Sequence, residues 1–285
     1  VLTVRTMADL RAALRDARRQ ERRIGLVATM GALHEGHLSL VRRARAECEV
    51  VVVSLFVNPS QFDDGADLAA YPRDEARDGA LAAEAGADLL LAPAVQEVYP
   101  PGFATTVHVG GLTEPLEGAA RGVAHFDGVA TVVTKLLNVV APDVAYFGQK
   151  DAQQGLVVRR LVRDLDLPVR VALCPTVREP DGLALSSRNV HLRGPDRERA
   201  VALHEALGAA ERALAGGEHD AGALRAAALA ALRARDVEPE YLEVVGPDDL
   251  RPLARVDGEA LLAVAARVGP TRLIDNTILT SKETR

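Results

Sequence analysis

The chain of 285 residues has no tryptophan, only 3% aromatic residues and a net charge of −6. It therefore offers no basic, aromatic-studded surface for stacking bases, and no global positive field to draw nucleic acid or an anionic membrane. Phosphate groups, if bound, must be held locally. Cysteine is also scarce. Cys48 and Cys174 lie far apart beside apolar runs, a pattern that predicts buried thiols in a reducing compartment and no disulfide. No charged-then-apolar leader opens the chain, and no uninterrupted apolar stretch reaches the roughly 20 residues of a membrane span, so the expected place is the cytoplasm. Two familiar strings are missing as well. Without Gly-x-x-x-x-Gly-Lys-Ser/Thr there is no phosphate loop. The metalloprotease pair also fails, because Gly36 and His37 follow Glu35 too soon. No third ligand near His34 and His37 completes a metal site, so none is expected. There is no internal repeat and no long linker, only a polar end, "TSKETR", that reads as frayed.

What is present is alternation. Strand-like apolar runs at Ile24 to Thr29, Val50 to Val57, Asp88 to Leu91, Val144 to Phe147 and Val169 to Cys174 alternate with helical patterns. The helical patterns lie near His37 to Glu47, Asp74 to Glu84, Gly128 to Val140 and Ala152 to Asp164. This order predicts an α/β fold, a doubly wound parallel sheet with helices on both faces. Past Pro175 the pattern changes to Ala-rich helices from about Asp196 to Arg235, broken at Gly216 and Gly217. Three β-like runs follow, "EYLEVV", "ALLAVAARV" and "TRLIDNTIL". The expected division is residues 1–176 as the sheet domain and residues 177–285 as a smaller α+β domain.

In doubly wound folds ligands bind beyond the carboxyl ends of the strands, and the polar clusters fall there. "TMGALHEGH" follows the first run. At a helix start, positions i and i+3 share a face, so His34 and His37 can point the same way beside the unpaired N–H groups of the first turn, an anion site. "NPSQF" follows the second run. Asn58 before Pro59 is first a turn signal, while Gln61 offers a neutral amide able to orient hydroxyl and carboxylate groups. "GQKDAQQ" places Lys150 at the rim to neutralise phosphate, with Asp151 reading equally as a helix N-cap. "GLALSSRN" gathers two hydroxyls and an arginine, a set suited to a triphosphate or to a plain turn.

Together "TMGALHEGH", "FVNPSQF", "GVATVVTKLLN", "YFGQKDAQQ" and "PTVREPDGLALSSRN" resemble the pantothenate synthetase family, ATP-dependent ligases of pantoate and β-alanine within the His-x-Gly-His nucleotidyltransferases. The resemblance runs in order to about Leu192 and implies a Rossmann-like fold for the sheet domain. It implies two steps in one site: pantoate attacks the α-phosphate of Mg-ATP to give pantoyl adenylate and pyrophosphate, and β-alanine then displaces AMP. It implies that His34, His37 and Lys150 act in catalysis, with His37 donating to the leaving group. ATP would be met by Met30, Gly31, Ala32 and Leu33, running on through Glu35 and Gly36 between the histidines. Gly148, Gln149, Lys150 and Asp151 would approach the nucleotide from the later strand, as would Val177. Lys150, Ser186, Ser187 and Arg188 would hold the triphosphate, with Leu185 beside them on the ATP. Gln61, Gln154 and Asn58 would bind pantoate, and Gln61 would also meet β-alanine. Magnesium would arrive with ATP, the second domain would act as a lid, and a homodimer is implied.

Ala152 stands where the family often has an aromatic, and Leu185 where it often has Met. Both are apolar neighbours of the implied site. His125 also matches a recurring family segment, with no catalytic role assigned. Three rival readings differ in what they require. A cytidylyl- or adenylyltransferase acting on a phosphorylated acceptor would call for extra Arg or Lys in place of the amides. A tRNA-charging enzyme would need a basic surface or a further domain. A non-catalytic nucleotide sensor would bind without releasing pyrophosphate.

Overall fold

A computed structural model describes residues 1–62 and 65–281. Residues 282–285 of the polar tail lie outside the described residues. The chain divides into two compact units, residues 1–149 with 153–175, and residues 150–152 with 176–285.

The first unit carries a six-stranded sheet made of β1 (Leu2–Val4), β2 (Ile24–Thr29), β3 (Val50–Leu55), β4 (Leu89–Leu91), β5 (Val144–Gly148) and β6 (Arg170–Cys174). The order is β1-β4-β3-β2-β5-β6 and every pairing is parallel. Helices α1 (Met7–Ala13) and α2 (Arg15–Arg19) precede β2, and α3 (Glu35–Glu47) joins β2 to β3. Between β3 and β4 lie α4 (Gly65–Ala70) and α5 (Glu75–Glu84). Between β4 and β5 lie α6 (Val95–Val98), α7 (Glu117–Arg121) and α8 (Val123–Val140), and α9 (Ala152–Asp164) leads to β6. The central strands are apolar on both faces because helices cover both. Val51, Val52 and Val53 of β3 are all fully buried, as are Leu26 and Val27 of β2. The chain moves from β2 to β3 on one side and returns at β5 on the other. The carboxyl ends of β2, β3 and β5 therefore meet at the point where the strand order reverses, the place such sheets use for ligands.

Both cysteines are free and buried. Cys48 lies beside the fully buried Tyr146, whose hydroxyl donates to Glu47 Oε2 at 2.9 Å. Glu47 also accepts from Arg43 and, at 2.6 Å, from Arg170. The two guanidiniums hold its carboxyl down at about 2, outweighing desolvation. A depressed carboxyl stabilises the fold above its unfolded pKa, roughly 4.3, and that contribution drains as pH falls toward about 2. Glu47→Gln should therefore lower the melting temperature at pH 7, and the gap from the parent should close between about pH 4 and pH 2. A gap independent of pH would refute the ion-pair account.

Helix α8 begins at Val123 and not at Gly128, because Phe126, three residues before the buried Val129, carries the buried face further toward the N-terminus. Gly128 sits inside it, where a Cβ would collide with the Ser60 carbonyl. Among the described residues α8 is also the one helix long and apolar enough to cross a membrane by length and composition. Most of it, 61%, is buried within the protein.

The second unit contains α10 (Gly194–Arg199), α11 (Ala202–Ala215) and α12 (Ala221–Arg233), then an antiparallel sheet of β7 (Pro239–Val245), β8 (Glu259–Val268) and β9 (Thr271–Thr280) in that order. The break at Gly216 and Gly217 separates α11 from α12, and Gly217 takes a positive φ of 96°. Leu203, Leu207, Leu224 and Leu232 from the helices pack against Leu242, Leu262 and Val264 from the sheet, giving this unit its own core.

Candidate active site

Three of the sequence clusters come together at the carboxyl ends of β2, β3 and β5. At the end of β2 the chain turns sharply. Gly31 has φ +88° and Ala32 φ +52°, values that cost an alanine about 1 kcal/mol or more. The turn is held from both sides. Thr29 Oγ1 accepts from Gly31 N at 3.2 Å and donates to Ser54 O at 2.7 Å. From α5 the carboxylate of Asp78 takes Ala32 N at 2.7 Å on one oxygen and Leu33 N at 2.8 Å on the other. Asp78 is only 2% exposed, and Arg77 reaches both it and Leu33 O. Leu33 points into the core and anchors the loop. Asp78 was not foreseen from the sequence. The available signal was an acid four and seven residues before the buried Ala82 and Ala85, on the apolar stripe of an amphipathic helix.

His34 is the N-cap of α3, and its Nδ1 accepts from Gly36 N at 3.1 Å. His37 reaches back, its Nδ1 accepting from His34 N at 3.4 Å. This is a capping box made of two histidines, with ring centroids 4.1 Å apart. An Nδ1 that accepts carries no proton, so the neutral form of each ring has its N–H at Nε2. Met30 and Gly36 flank the pair partly buried. Glu35 turns to solvent and pairs with Arg42.

At the end of β3, Asn58 caps the short turn Pro59–Gln61 and is 1% exposed. Its Oδ1 accepts from Ser60 N, Ser60 Oγ and Tyr99 Oη, and its Nδ2 donates to Gln61 Oε1 at 2.8 Å and Gly128 O at 3.1 Å. The hydrogen-bonding capacity of Asn58 is thus spent inside the protein. Its effect is to orient Gln61, whose Oε1 is occupied so that Nε2 is the end able to donate outward. Burial raises the Tyr99 phenol pKa against the lowering effect of its hydrogen bonds to Ser60 and Asn58, which keeps it a proton donor. His125 Nδ1 lies 2.9 Å from Gln61 O, so it donates there and fixes the backbone of the same residue.

At the end of β5, Gly148 and Gln149 are partly buried and Gln154 is half-buried on the first turn of α9. Its neighbour Gln153 is structural: it binds Glu117 N, Leu112 O and Pro115 O and fixes the loop before α7.

The remaining predicted residues belong to the second unit. Lys150 and Asp151 lie in the turn Gln149–Asp151, where the ammonium is 3.8 Å from the carboxylate, a weak pair. Val177 and Leu185 face each other across a short hairpin, Leu185 N donating to Val177 O at 3.0 Å, with Arg178 opposite Ala184. Ser186 caps the turn Ser187–His191 by accepting from Arg188 N, and all of Leu185 to Arg188 are partly exposed. Among the described residues no group of three or more His, Cys, Asp or Glu is placed to hold a metal ion.

A parallel sheet whose central strand hands the chain to a His-x-Gly-His helix start, with an oriented amide in the turn after the next strand, defines an α/β protein with an anion-receptive ligand site at the strand-order reversal. Comparison with known proteins gives the family. The family model described as pantoate-beta-alanine ligase matches residues 2–278. A pantothenate synthetase of Chelativorans sp. is 58% identical over 95% of both chains, and one of Roseiflexus castenholzii 53% identical over 98% of both. The crystal structure of pantothenate synthetase from Thermus thermophilus superposes with a TM-score of 0.91 at 52% identity, covering 97% of this chain and 99% of that one. A pantoate-beta-alanine ligase from Francisella tularensis, complexed with beta-gamma ATP and beta-alanine, gives 0.79 at 32% identity over 98% and 97% of the two chains. The chain belongs to the pantoate–β-alanine ligase family.

Proposed function

We propose that this chain makes pantothenate from pantoate and β-alanine at the expense of ATP, by way of a pantoyl adenylate. A carboxylate is a poor acyl donor because oxide would have to leave. Attack of a pantoate oxygen on the α-phosphorus breaks the bond to pyrophosphate and leaves an acyl group whose departing partner is AMP. The β-alanine nitrogen then adds to the acyl carbon, the acyl–oxygen bond breaks, and the amine proton is lost to base or water. The first step builds charge on phosphate oxygens, and preorganised donors are what lower its barrier.

The observation that carries the reading is the double-histidine cap. It sits at a helix N-terminus on the strand-order reversal, and it ties both Nδ1 atoms to backbone so that Nε2–H is the donor of each neutral ring. His37 is assigned as the donor to departing pyrophosphate and His34 as its partner on the phosphates. Met30 to Leu33, Gly148 and Gln149 take the nucleoside side. Lys150, Ser186, Ser187 and Arg188 hold the triphosphate, with Asp151, Val177 and Leu185 also near the nucleotide. Gln61 and Gln154 bind pantoate, with Gln61 also meeting β-alanine, and Asn58 acts on pantoate through Gln61. Magnesium enters on the phosphates of ATP. The same reading takes the protein as a cytoplasmic homodimer, with residues 177–285 as its lid.

Labelled pyrophosphate should exchange into ATP when pantoate and magnesium are present and β-alanine is absent, and should stop when pantoate is omitted. Exchange that needs β-alanine would sink the two-step route.

A further inference from the structure

The two phosphate-side segments of the second unit are distant in sequence, yet both are tied to one dipeptide on β9. Asp275 and Asn276 are adjacent on a strand, so their side chains leave by opposite faces. Asp275 lies in the same alternation as Leu273 and Leu279, which face the helical core. On that side its carboxylate takes Arg178 in a two-pronged ion pair, Nη1 to Oδ2 at 2.6 Å and Nη2 to Oδ1 at 3.0 Å. Arg178 also donates to Gly182 O at 3.0 Å, so one guanidinium spans the hairpin from Val177 to Leu185 and pins it to the strand. From the other side of β9, Asn276 Nδ2 donates to the backbone carbonyl of Lys150 at 2.9 Å. Both residues are buried, at 4% and 5% exposure, and Asn276 N donates to Asp275 Oδ1 at 2.8 Å, which couples the two grips. Burying a carboxylate and an amide in a small sheet is costly unless their contacts are needed. A packed apolar pair would stabilise β9 as well without gripping either segment.

We infer that Asp275 and Asn276 are positioning residues for the adenylation step, fixing Lys150 and the Val177–Arg188 segment relative to each other. This rests on the assignment of those segments to the triphosphate. Neither residue touches substrate in this scheme. Each acts through the group it holds, so the effect falls on ATP and spares pantoate.

The test compares the full-length parent with Asn276→Asp, Asn276→Ala and Arg178→Lys. In Asn276→Asp the shape stays but the donor toward Lys150 O becomes an acceptor. In Arg178→Lys a point charge cannot bridge two carboxylate oxygens and Gly182 O at once. Pyrophosphate–ATP exchange is measured against ATP concentration, pantoate affinity by calorimetry without ATP, and folding by thermal melting. Displacement of positioned groups should lower exchange kcat/KM for ATP on the order of 10- to 100-fold in each variant, while pantoate affinity stays within about twofold. Exchange unchanged in a folded variant overturns the inference. So does pantoate affinity falling in parallel, or loss of fold in all three, which would assign the pair to stability alone. A parent without exchange would instead refute the two-step reading, so the two failures are separable.

Discussion

His37→Ala should slow adenylation by on the order of 10² to 10³ while leaving the protein folded. The size follows from what is removed. The alanine has no Nε2–H, and a single preorganised donor to charge developing on the phosphates is worth that much. The structural loss is small by comparison. His37 is partly exposed, and within its helix it contributes a long hydrogen bond from His34 N, so deleting it costs roughly the 1 kcal/mol of a lost cap. His34→Ala is the informative companion, since it removes the acceptor for Gly36 N and the tilted ring packed against His37 together. Rapid-quench measurement of adenylate formation in a single turnover separates this step from the later attack by β-alanine. A His37→Ala rate within threefold of the parent would show that the donor lies elsewhere.

The pair of histidines was legible in the sequence because everything that positions them is local. A β run, two small residues and a helix start fix their separation, and the period of the helix puts them on one face. The same holds for the parallel sheet. Its inner strands are continuous apolar runs, and α9 was delimited correctly from periodicity because its polar and apolar faces are cleanly separated. β1 escaped because three residues, of which only Val4 is buried, leave no period to read. The start of α8 escaped because His125, Asp127 and Gly128 look like loop, although Gly128 is there to admit the Ser60 carbonyl.

What stayed hidden in the site was the supporting chemistry. Asp78 serves a loop more than forty residues before it, and Asp275 and Asn276 serve partners 97 and 126 residues away in sequence. Such residues look like ordinary surface polar groups until the fold shows them buried. Asn58 illustrates the converse. Its reading as a turn signal was right, and the structure adds that its remaining valences aim Gln61.

Asp78→Asn should abolish most of the adenylation activity although Asp78 is buried and grips the loop by its backbone. The substitution preserves shape but leaves a single acceptor oxygen where two backbone N–H groups, of Ala32 and Leu33, each had their own. Turning the amide either way sets an NH₂ against one of those donors. A charge-assisted hydrogen bond is worth about 1.5 to 3 kcal/mol and a stranded buried donor about 1 to 3. Those terms act on a turn that is already uphill, with Ala32 at φ +52°. The cheapest relief is for the turn to relax toward ordinary φ, carrying Met30 and the His34 cap with it, and a displacement near 1 Å is enough to cost about 10²-fold in rate. The melting temperature should fall by several degrees as well. Adding Ala32→Gly separates the two effects, because glycine takes a positive φ without strain. The double variant should recover much of the lost stability without recovering the rate, since the loop is then freer still. A single variant that melts early yet exchanges pyrophosphate at the parent rate would reduce Asp78 to a stabilising residue and leave the placement of His34 and His37 to their own cap.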